Sequence, residues 1–196
     1  MWDYSTAWLY ASRADRIFQR ATSLAHSRRG LLTAGCVPAK LGAATPMRTE
    51  TTKAKLQMFM AALGNQVHGP GRIYLTGGAT AVLHDWRQMT VDVDIKPDPE
   101  PLGLYEALAM IKDEIDINVE LASPDNFLPA IPGWRERSLF IARHGPVEFF
   151  HYDPYGQALS KLQRRHERDL QDVQSLCKSG LVAKPRLREM PCPELF

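Results

Sequence analysis

Two aspartates at alternate positions, Asp92 and Asp94, are the residues whose type and spacing most clearly suggest chemistry. They lie in the run Val91-Asp92-Val93-Asp94-Ile95, which reads as a β-strand. Alternation along a strand sends both carboxylates to one face and the apolar side chains to the other. Two carboxylates on an apolar backing form a rigid ligand pair for a hard cation such as Mg²⁺ or Mn²⁺. A solvated strand face is the simpler alternative for such a pair.

A pair of glycines precedes these acids, in the run Leu75-Thr76-Gly77-Gly78-Ala79-Thr80. Glycines between a strand and a helix allow positive φ and close approach of the backbone to a ligand. The start of the following helix offers unpaired N–H groups to phosphate. We therefore predict that Gly77, Gly78 and Thr80 contact phosphate, although a tight strand-to-helix turn would explain the glycines equally well.

A third acidic position lies in the run Asp116-Ile117-Asn118-Val119-Glu120-Leu121, which we predict to be a strand. Its alternation places Asp116, Asn118 and Glu120 on one face. If this strand lies beside the first acidic strand, Glu120 completes a carboxylate triad with the two aspartates. Its role would be that of a metal ligand or of a base toward an attacking hydroxyl. An exposed strand face is again the alternative.

The remaining pattern predicts the elements that must position these residues. Apolar spacing and glycine or proline breaks predict a fold of the α/β (α+β) class. We expect helices near 51–63, 79–86, 104–111, 154–166 and 168–178, and strands near 72–76, 91–96, 116–121, 138–143 and 147–152.

Composition indicates three segments. Residues 1–46 are rich in Arg, Ser and Ala and poor in acids, and we expect them to form a poorly packed extension. Residues 47–152 are predicted to form the α/β domain, and residues 153–196 a helical segment. The net charge of +2 gives no general reason to expect nucleic acid as a partner.

Neither a cysteine framework nor a membrane segment is indicated. Cys36, Cys177 and Cys192 lie far apart without a CxxC pair, which argues against a zinc site or a disulfide framework. No apolar run approaches the roughly 20 residues that span a bilayer. We expect a cytoplasmic protein without a membrane partner.

Together, the glycine pair, the acidic pair and the third acid resemble the polymerase-beta-like nucleotidyltransferase superfamily. The segments that carry this resemblance are TGGATAVLHDWRQMTVDVDI and DINVEL. The chain is still more similar to bacterial nucleotidyltransferase-like proteins related to abortive-infection type IV toxins. In those proteins an Arg and a Thr shortly precede the acidic pair, as Arg87 and Thr90 do here. The downstream segments SPDNFLPAIPGWRERSLFIARHG and DPYGQALSKLQRRHERDLQDV extend the resemblance over roughly residues 52–182.

The resemblance implies a small mixed sheet flanked by helices, and roles for several residues. It implies that Arg87 and Thr90 bind nucleotide, that Lys161 contacts its phosphates, and that Asp169 is an acid on the next helix. Alternatively, Lys161 and the nearby arginines form a solvated helix face with surface acids as partners. A typical relative would carry a further helix near the C-terminus, whereas here the segment from Pro185 to Phe196 is short and interrupted by prolines.

The implied reaction transfers a nucleoside monophosphate from an NTP to a hydroxyl of RNA, a protein or a small molecule. Asp92, Asp94 and Glu120 would bind the metal, and Lys161 would neutralise developing charge. The basic run Arg164, Arg165, His166 and Arg168 would suit an RNA backbone.

Two rival functions are compatible with these residues. One is a toxin–antitoxin component or a binding protein that keeps the fold without turnover. The other is a metal–nucleotide sugar glycosyltransferase, whose nucleotide-binding domain is usually larger than this chain provides. For a toxin-type enzyme, a cognate antitoxin would be a partner.

Overall fold

The computed structural model describes residues 50–164 and 166–190. The predicted extension over residues 1–46 lies outside the described residues, as do Cys36, Arg165 and Cys192. Within the described ranges, no helix has both the length and the apolar character needed to cross a bilayer.

The described chain alternates strands and helices and then ends in helices. The strands are β1 Thr51–Thr52, β2 Gly71–Thr76, β3 Met89–Thr90, β4 Asp92–Pro97, β5 Asn118–Glu120, β6 Leu139–His144 and β7 Val147–His151. The helices are α1 Lys53–Gln66, α2 Gly77–Leu83, α3 Leu104–Ile115, α4 Trp134–Arg137, α5 Pro154–Arg164, α6 Glu167–Lys178 and α7 Lys184–Glu189. A 3₁₀ turn covers Pro124–Asn126.

Five strands form one mixed sheet in the order β5-β4-β2-β7-β6. Strand β2 runs parallel to β7 and β4 runs parallel to β5, whereas the β2/β4 and β6/β7 pairs are antiparallel. Strands β1 and β3 form a separate two-stranded ribbon. A mixed sheet flanked by helices confirms the predicted α/β fold class.

One face of the sheet packs on α1 and α3 and forms the main core. The apolar residues of α1 that recur at helical spacing, Leu56, Phe59, Met60 and Leu63, are all buried there. The helix begins at a capping residue, because the Thr52 hydroxyl accepts a hydrogen bond of 3.4 Å from the Lys55 backbone N–H.

Alternate residues of the same strands face the other side of the sheet, where the chemistry-bearing groups lie. Tyr74 packs there against Trp134 and Tyr152 in a second apolar cluster. Its ring centroid lies 4.9 Å from that of Trp134. Helix α5 and the segment around the 3₁₀ turn pack together on this side.

The strand that carries Glu120 is shorter than predicted, and this corrects the position of Asp116. Strand β5 covers only Asn118–Glu120. Asp116 ends α3 in the left-handed conformation, with φ 53°, and its carbonyl accepts a 3.1 Å hydrogen bond from Lys55 Nζ. A left-handed residue is a common way to end a helix, and aspartate tolerates that conformation. Asp116 therefore does not share the strand face of Asn118 and Glu120.

The C-terminal helices begin and end as their sequences predict. The Asp153 carboxylate accepts a hydrogen bond of 3.1 Å from the Tyr155 N–H at the start of α5. After α6 the chain turns at Gly180, whose φ is 79°. Helix α7 follows with Pro185 in its first turn, so a short helix forms where we expected only a chain interrupted by prolines.

A buried ion pair joins α4 to the start of α5. Arg137 binds the fully buried Asp153 through two contacts, Nε to Oδ1 at 3.0 Å and Nη2 to Oδ2 at 2.7 Å. Leaving such a carboxylate unpaired costs about 3–5 kcal/mol. We expect Arg137→Met to lower the free energy of unfolding by about that amount in urea denaturation at pH 7.

The exposed ion pair between Arg72 and Glu148, which is 3.1 Å long, provides the control. Arg72→Met should change the free energy of unfolding by only about 0–1 kcal/mol. Similar small losses in both variants would contradict a structural role for the buried pair.

Candidate functional site

The register of three strands brings the predicted acids together. Strand β4 lies between β2 and β5, so that Asp94 is opposite Thr76 on one side and Glu120 on the other. Asp92 is opposite Asn118. The strand that carries Glu120 is thus the neighbour of the strand that carries the aspartate pair, as we hypothesised from their patterns.

An open pocket of about 160 Å³ lies over these strand ends. Four of the residues predicted to form a site line it together: Gly77, Asp94, Glu120 and Lys161. The other lining residues come from β2, the segment after β5, and α5: Thr76, Ala122, Ser123, Pro124, Phe127, Gln157, Ser160 and Arg164.

The floor of the pocket carries excess negative charge. The pKa of Asp94 is raised to about 6, chiefly because the carboxyl is buried and also because Glu120 and Asp92 lie nearby. Arg164 and Lys161 act in the opposite direction. The two cations therefore offset only part of the cost of ionising Asp94.

An asparagine links two of the acids. The Asn118 amide nitrogen donates hydrogen bonds to Asp92 Oδ1 at 2.6 Å and to Glu120 Oε1 at 3.2 Å. Sequence reasoning placed Asn118 on this face but gave it no role. Its amide nitrogen therefore bridges the carboxylates of Asp92 and Glu120.

The carboxylates at the pocket suit a hard cation that takes its remaining ligands from a substrate. Among the described residues, no group of three or more His, Cys, Asp or Glu side chains converges as a ready-made metal cage. Asp94 and Glu120 do present carboxylates to one pocket. Mg²⁺ is commonly held by one or two carboxylates plus substrate phosphates, so this pair fits such an ion.

The two glycines make room for the site. Gly77 has φ 59°, and a Cβ at this position would lie 2.6 Å from Asp94 Oδ2. A Cβ on Gly78 would lie 2.1 Å from the Thr90 hydroxyl oxygen. The absent side chains thus let α2 begin directly beside β4 and β3.

Gln157, which sequence reasoning missed, fastens α5 to this turn. Its Oε1 accepts the Gly77 N–H at 3.1 Å, and its Nε2 donates to the Tyr152 carbonyl at 2.7 Å. Gln157 lies one helical turn before Lys161, so both side chains reach the same pocket. That spacing was the only signal in the sequence.

Three other predicted residues lie around the pocket without lining it. Thr80 is buried, and its hydroxyl donates to the Leu75 carbonyl at 3.2 Å. The Thr90 hydroxyl donates to the Asp92 carbonyl at 3.0 Å. Arg87 extends toward α6, where its Nη2 lies 2.7 Å from Asp172 Oδ1.

Lys161 is held in place by two acids of the next helix. Its Nζ lies 3.1 Å from Asp169 Oδ1 and 2.6 Å from Asp172 Oδ2. All three residues are buried, so the alternative of a solvated helix face is wrong for Lys161. Arg164, which is more exposed, also approaches Asp169, at 3.4 Å.

The pocket therefore has an acidic floor and a basic wall. Asp94 and Glu120 come from the sheet, whereas Lys161 and Arg164 come from α5. A metal-bound polyphosphate matches this arrangement because the cation meets the carboxylates and the phosphate oxygens meet the basic side chains.

A comparison with protein families places the chain in a known family. A family model described as "Nucleotidyltransferase of unknown function (DUF6036)" matches residues 55–191. The chain belongs to this nucleotidyltransferase family. The match spans the sheet, the pocket and all three C-terminal helices. No curated protein and no solved structure matches the chain.

The raised pKa of Asp94 predicts that the stability of the protein depends on pH. Because its pKa is raised to about 6, protonation of Asp94 stabilises the fold as pH falls through that value. The contribution is complete below the ordinary value of 3.8. We expect Asp94→Asn to be more stable than wild type at pH 8, with a difference that shrinks toward pH 4.

Urea denaturation between pH 4 and pH 8 in the presence of EDTA measures this difference. Asp113→Asn, which removes one exposed negative charge from α3, is the control. A stability difference between Asp94→Asn and wild type that is independent of pH would contradict the proposed repulsion.

Alanine substitutions at two glycines distinguish backbone strain from displacement of the Asp94 carboxylate. Gly77 and Gly180 both have positive φ, but nothing lies within 4 Å of a Cβ on Gly180. Alanine at either position should cost about 1–2 kcal/mol of stability. Gly77→Ala must in addition turn the Asp94 carboxylate away.

We therefore expect Gly77→Ala to change the pKa of Asp94 and Gly180→Ala to leave it unchanged. Carboxyl ¹³C NMR titration measures that pKa directly. An unaltered Asp94 titration in a folded Gly77→Ala protein would refute the close packing at this turn.

Proposed function

We propose that this protein transfers a nucleoside monophosphate from an NTP to a hydroxyl acceptor in a Mg²⁺- or Mn²⁺-dependent reaction. The observation that carries the proposal is that Asp94, Glu120, Lys161 and Arg164 line one pocket together. The acceptor oxygen would form a bond to the α-phosphorus. The bond between that phosphorus and the α–β bridging oxygen would break, and pyrophosphate would leave.

Asp94 and Glu120 are proposed as the principal metal ligands. Asp92, which lies two residues before Asp94 on the same strand face, is proposed as a further ligand. When bound, the metal supplies positive charge that offsets the carboxylates and the triphosphate. Asn118 orients Asp92 and Glu120 through its two hydrogen bonds.

Glu120 is also the candidate acceptor of the proton from the attacking hydroxyl. It lies at the edge of the sheet, where its side chain is exposed and lines the pocket. An acceptor that enters from solvent would reach this carboxylate without displacing a buried group.

Lys161 is proposed to neutralise charge on the phosphates during transfer. Its acidic partners Asp169 and Asp172 keep its ammonium group in place on the pocket wall. Arg87 forms an ion pair with the other carboxylate oxygen of Asp172. We assign Arg87 and Asp169 an indirect part in nucleotide binding, through the position of Lys161.

The remaining predicted contacts divide between the pocket and its support. Gly77 lines the pocket, so its backbone is the part of the predicted phosphate cradle closest to a ligand. Gly78 and Thr90 pack against each other, and Thr80 bonds to the strand behind them. For these three residues, direct contact with the nucleotide stays a prediction.

RNA, a protein or a small molecule remain the candidate acceptors, and a toxin-type activity with a cognate antitoxin remains a hypothesis. His166 and Arg168 are exposed beside the pocket-lining Arg164, so a phosphate backbone would meet positive charge there. A nucleotide-binding protein without turnover would use the same pocket.

Isothermal titration with each NTP, with and without Mg²⁺, tests the proposal. We expect Mg²⁺-dependent binding that weakens by about tenfold or more in the Asp92→Asn/Asp94→Asn double variant, because at least one charge-assisted contact is lost. Glu106→Gln/Asp113→Asn, which removes two exposed acids from α3, is the matched control. Equal binding by wild type and the site variant, without metal dependence, would refute the proposal.

Transfer of label from α-³²P-NTP then separates an enzyme from a binding protein. Label on RNA, protein or a small molecule would identify the acceptor class. Metal-dependent binding without transfer to any of the three would favour the non-catalytic alternative.

A further inference from the structure

Phe127 is an exposed aromatic side chain at the pocket. Its side chain is 52% exposed, although the ring is large and apolar. Among the described residues that line the pocket, it is the only aromatic one. Single exposed apolar residues are common on protein surfaces, so the position and the support of this ring are what give it meaning.

The backbone around Phe127 is tightly bonded. The Ser123 N–H donates to Asn126 Oδ1 at 2.7 Å, and the Asn126 N–H donates back to the Ser123 carbonyl at 3.0 Å. The Phe127 N–H donates to the Pro124 carbonyl at 3.1 Å. These bonds fix the 3₁₀ turn from which the ring projects.

Residues on both sides anchor the same turn to the rest of the fold. Lys96 Nζ on β4 binds Asp125 Oδ2 at 2.5 Å. Leu128, the next residue after Phe127, is buried with Ile131 and Leu159. Because Pro124 and Leu128 supply the packing, the exposed ring between them is available for another task.

A guanidinium group lies beside the ring. The Arg164 Cζ atom is 5.6 Å from the centroid of Phe127, within the usual range of a cation–π contact. Arg164 is tied on its other side to Asp169. Aromatic rings and arginine planes are the surfaces on which proteins stack nucleobases.

We propose that Phe127, with Arg164 beside it, forms the nucleobase subsite of this pocket. The base of the NTP stacks on Phe127 while its phosphates lie against the metal ligands and Lys161. This inference rests on the proposed function. It assigns a binding position to the nucleobase, whereas the acids and cations account only for the metal and the phosphates. Purine nucleotides, with the larger π-face, gain more from the subsite than pyrimidine nucleotides.

Comparison of ATP, UTP and inorganic tripolyphosphate, each with Mg²⁺, tests the subsite by isothermal titration. We expect Phe127→Ala to weaken ATP binding by roughly 5- to 150-fold, the range that one stacked base provides. UTP should lose less than ATP, and tripolyphosphate, which has no base, should bind as to wild type. Phe127→Tyr, which keeps an aromatic face, should retain ATP affinity.

Phe140→Ala is the matched control because Phe140 is a second exposed phenylalanine, 60% exposed on β6, outside the residues that line the pocket. It should leave the affinity of all three ligands unchanged. Circular dichroism and urea denaturation establish that both alanine variants are folded.

Several results would overturn the subsite. An equal loss of ATP and tripolyphosphate affinity in Phe127→Ala would mean that the ring only shapes the phosphate site. Unchanged ATP affinity would also refute it. If wild type binds tripolyphosphate as tightly as ATP, the subsite fails while the phosphate site stands. If wild type binds neither ligand, the proposed function itself fails.

Discussion

Asp94 and Glu120 sit directly opposite each other on two parallel strands, and both carboxylates open into one pocket. Burial and this proximity raise the pKa of Asp94 to about 6. The fold therefore maintains charges that repel each other, an arrangement that natural proteins keep chiefly at functional sites. Gly77, whose missing side chain leaves room for the Asp94 carboxylate, and Asn118, which binds the neighbouring acids, both serve this arrangement. A bound cation would relieve the repulsion.

The basic wall of the pocket depends on residues that are distant in sequence. Arg87 lies just before β3, yet it binds Asp172 on α6, which in turn binds Lys161 on α5. A buried ionic network of this kind contributes little net stability, but it fixes the position of each charge. In addition, Gln157 links α5 to the glycine turn, because its side chain accepts a hydrogen bond from the Gly77 N–H. The C-terminal helices thereby hold cations over a site whose acids belong to the sheet.

Local patterns predict the five strands of the main sheet, the longer helices and the shared face of the acids, but not the short elements β1, β3, α4 and α7. Period-two alternation predicts that Asp94 points away from the core, and the spacing of apolar residues predicts α1 and α3. The start signal Asp153-Pro154 and the end signal Gly180 predict α5 and α6. The partners of Arg87 and Gln157 could not be predicted, because they join segments that are far apart in the sequence. The alternation of the following strand extends back to Asp116 and predicts strand there, but Asp116 instead ends α3 in the left-handed conformation.

Electron paramagnetic resonance of Mn²⁺ tests most directly whether Asp94 and Glu120 hold a cation together with a nucleotide. Wild-type protein with an NTP should remove the signal of free Mn²⁺ at concentrations at which the protein alone, or the NTP alone, leaves much of it. Asp94→Asn/Glu120→Gln protein should leave the signal that the NTP alone gives. An identical loss of free Mn²⁺ with wild type and with this variant would contradict the assignment of the acids as metal ligands.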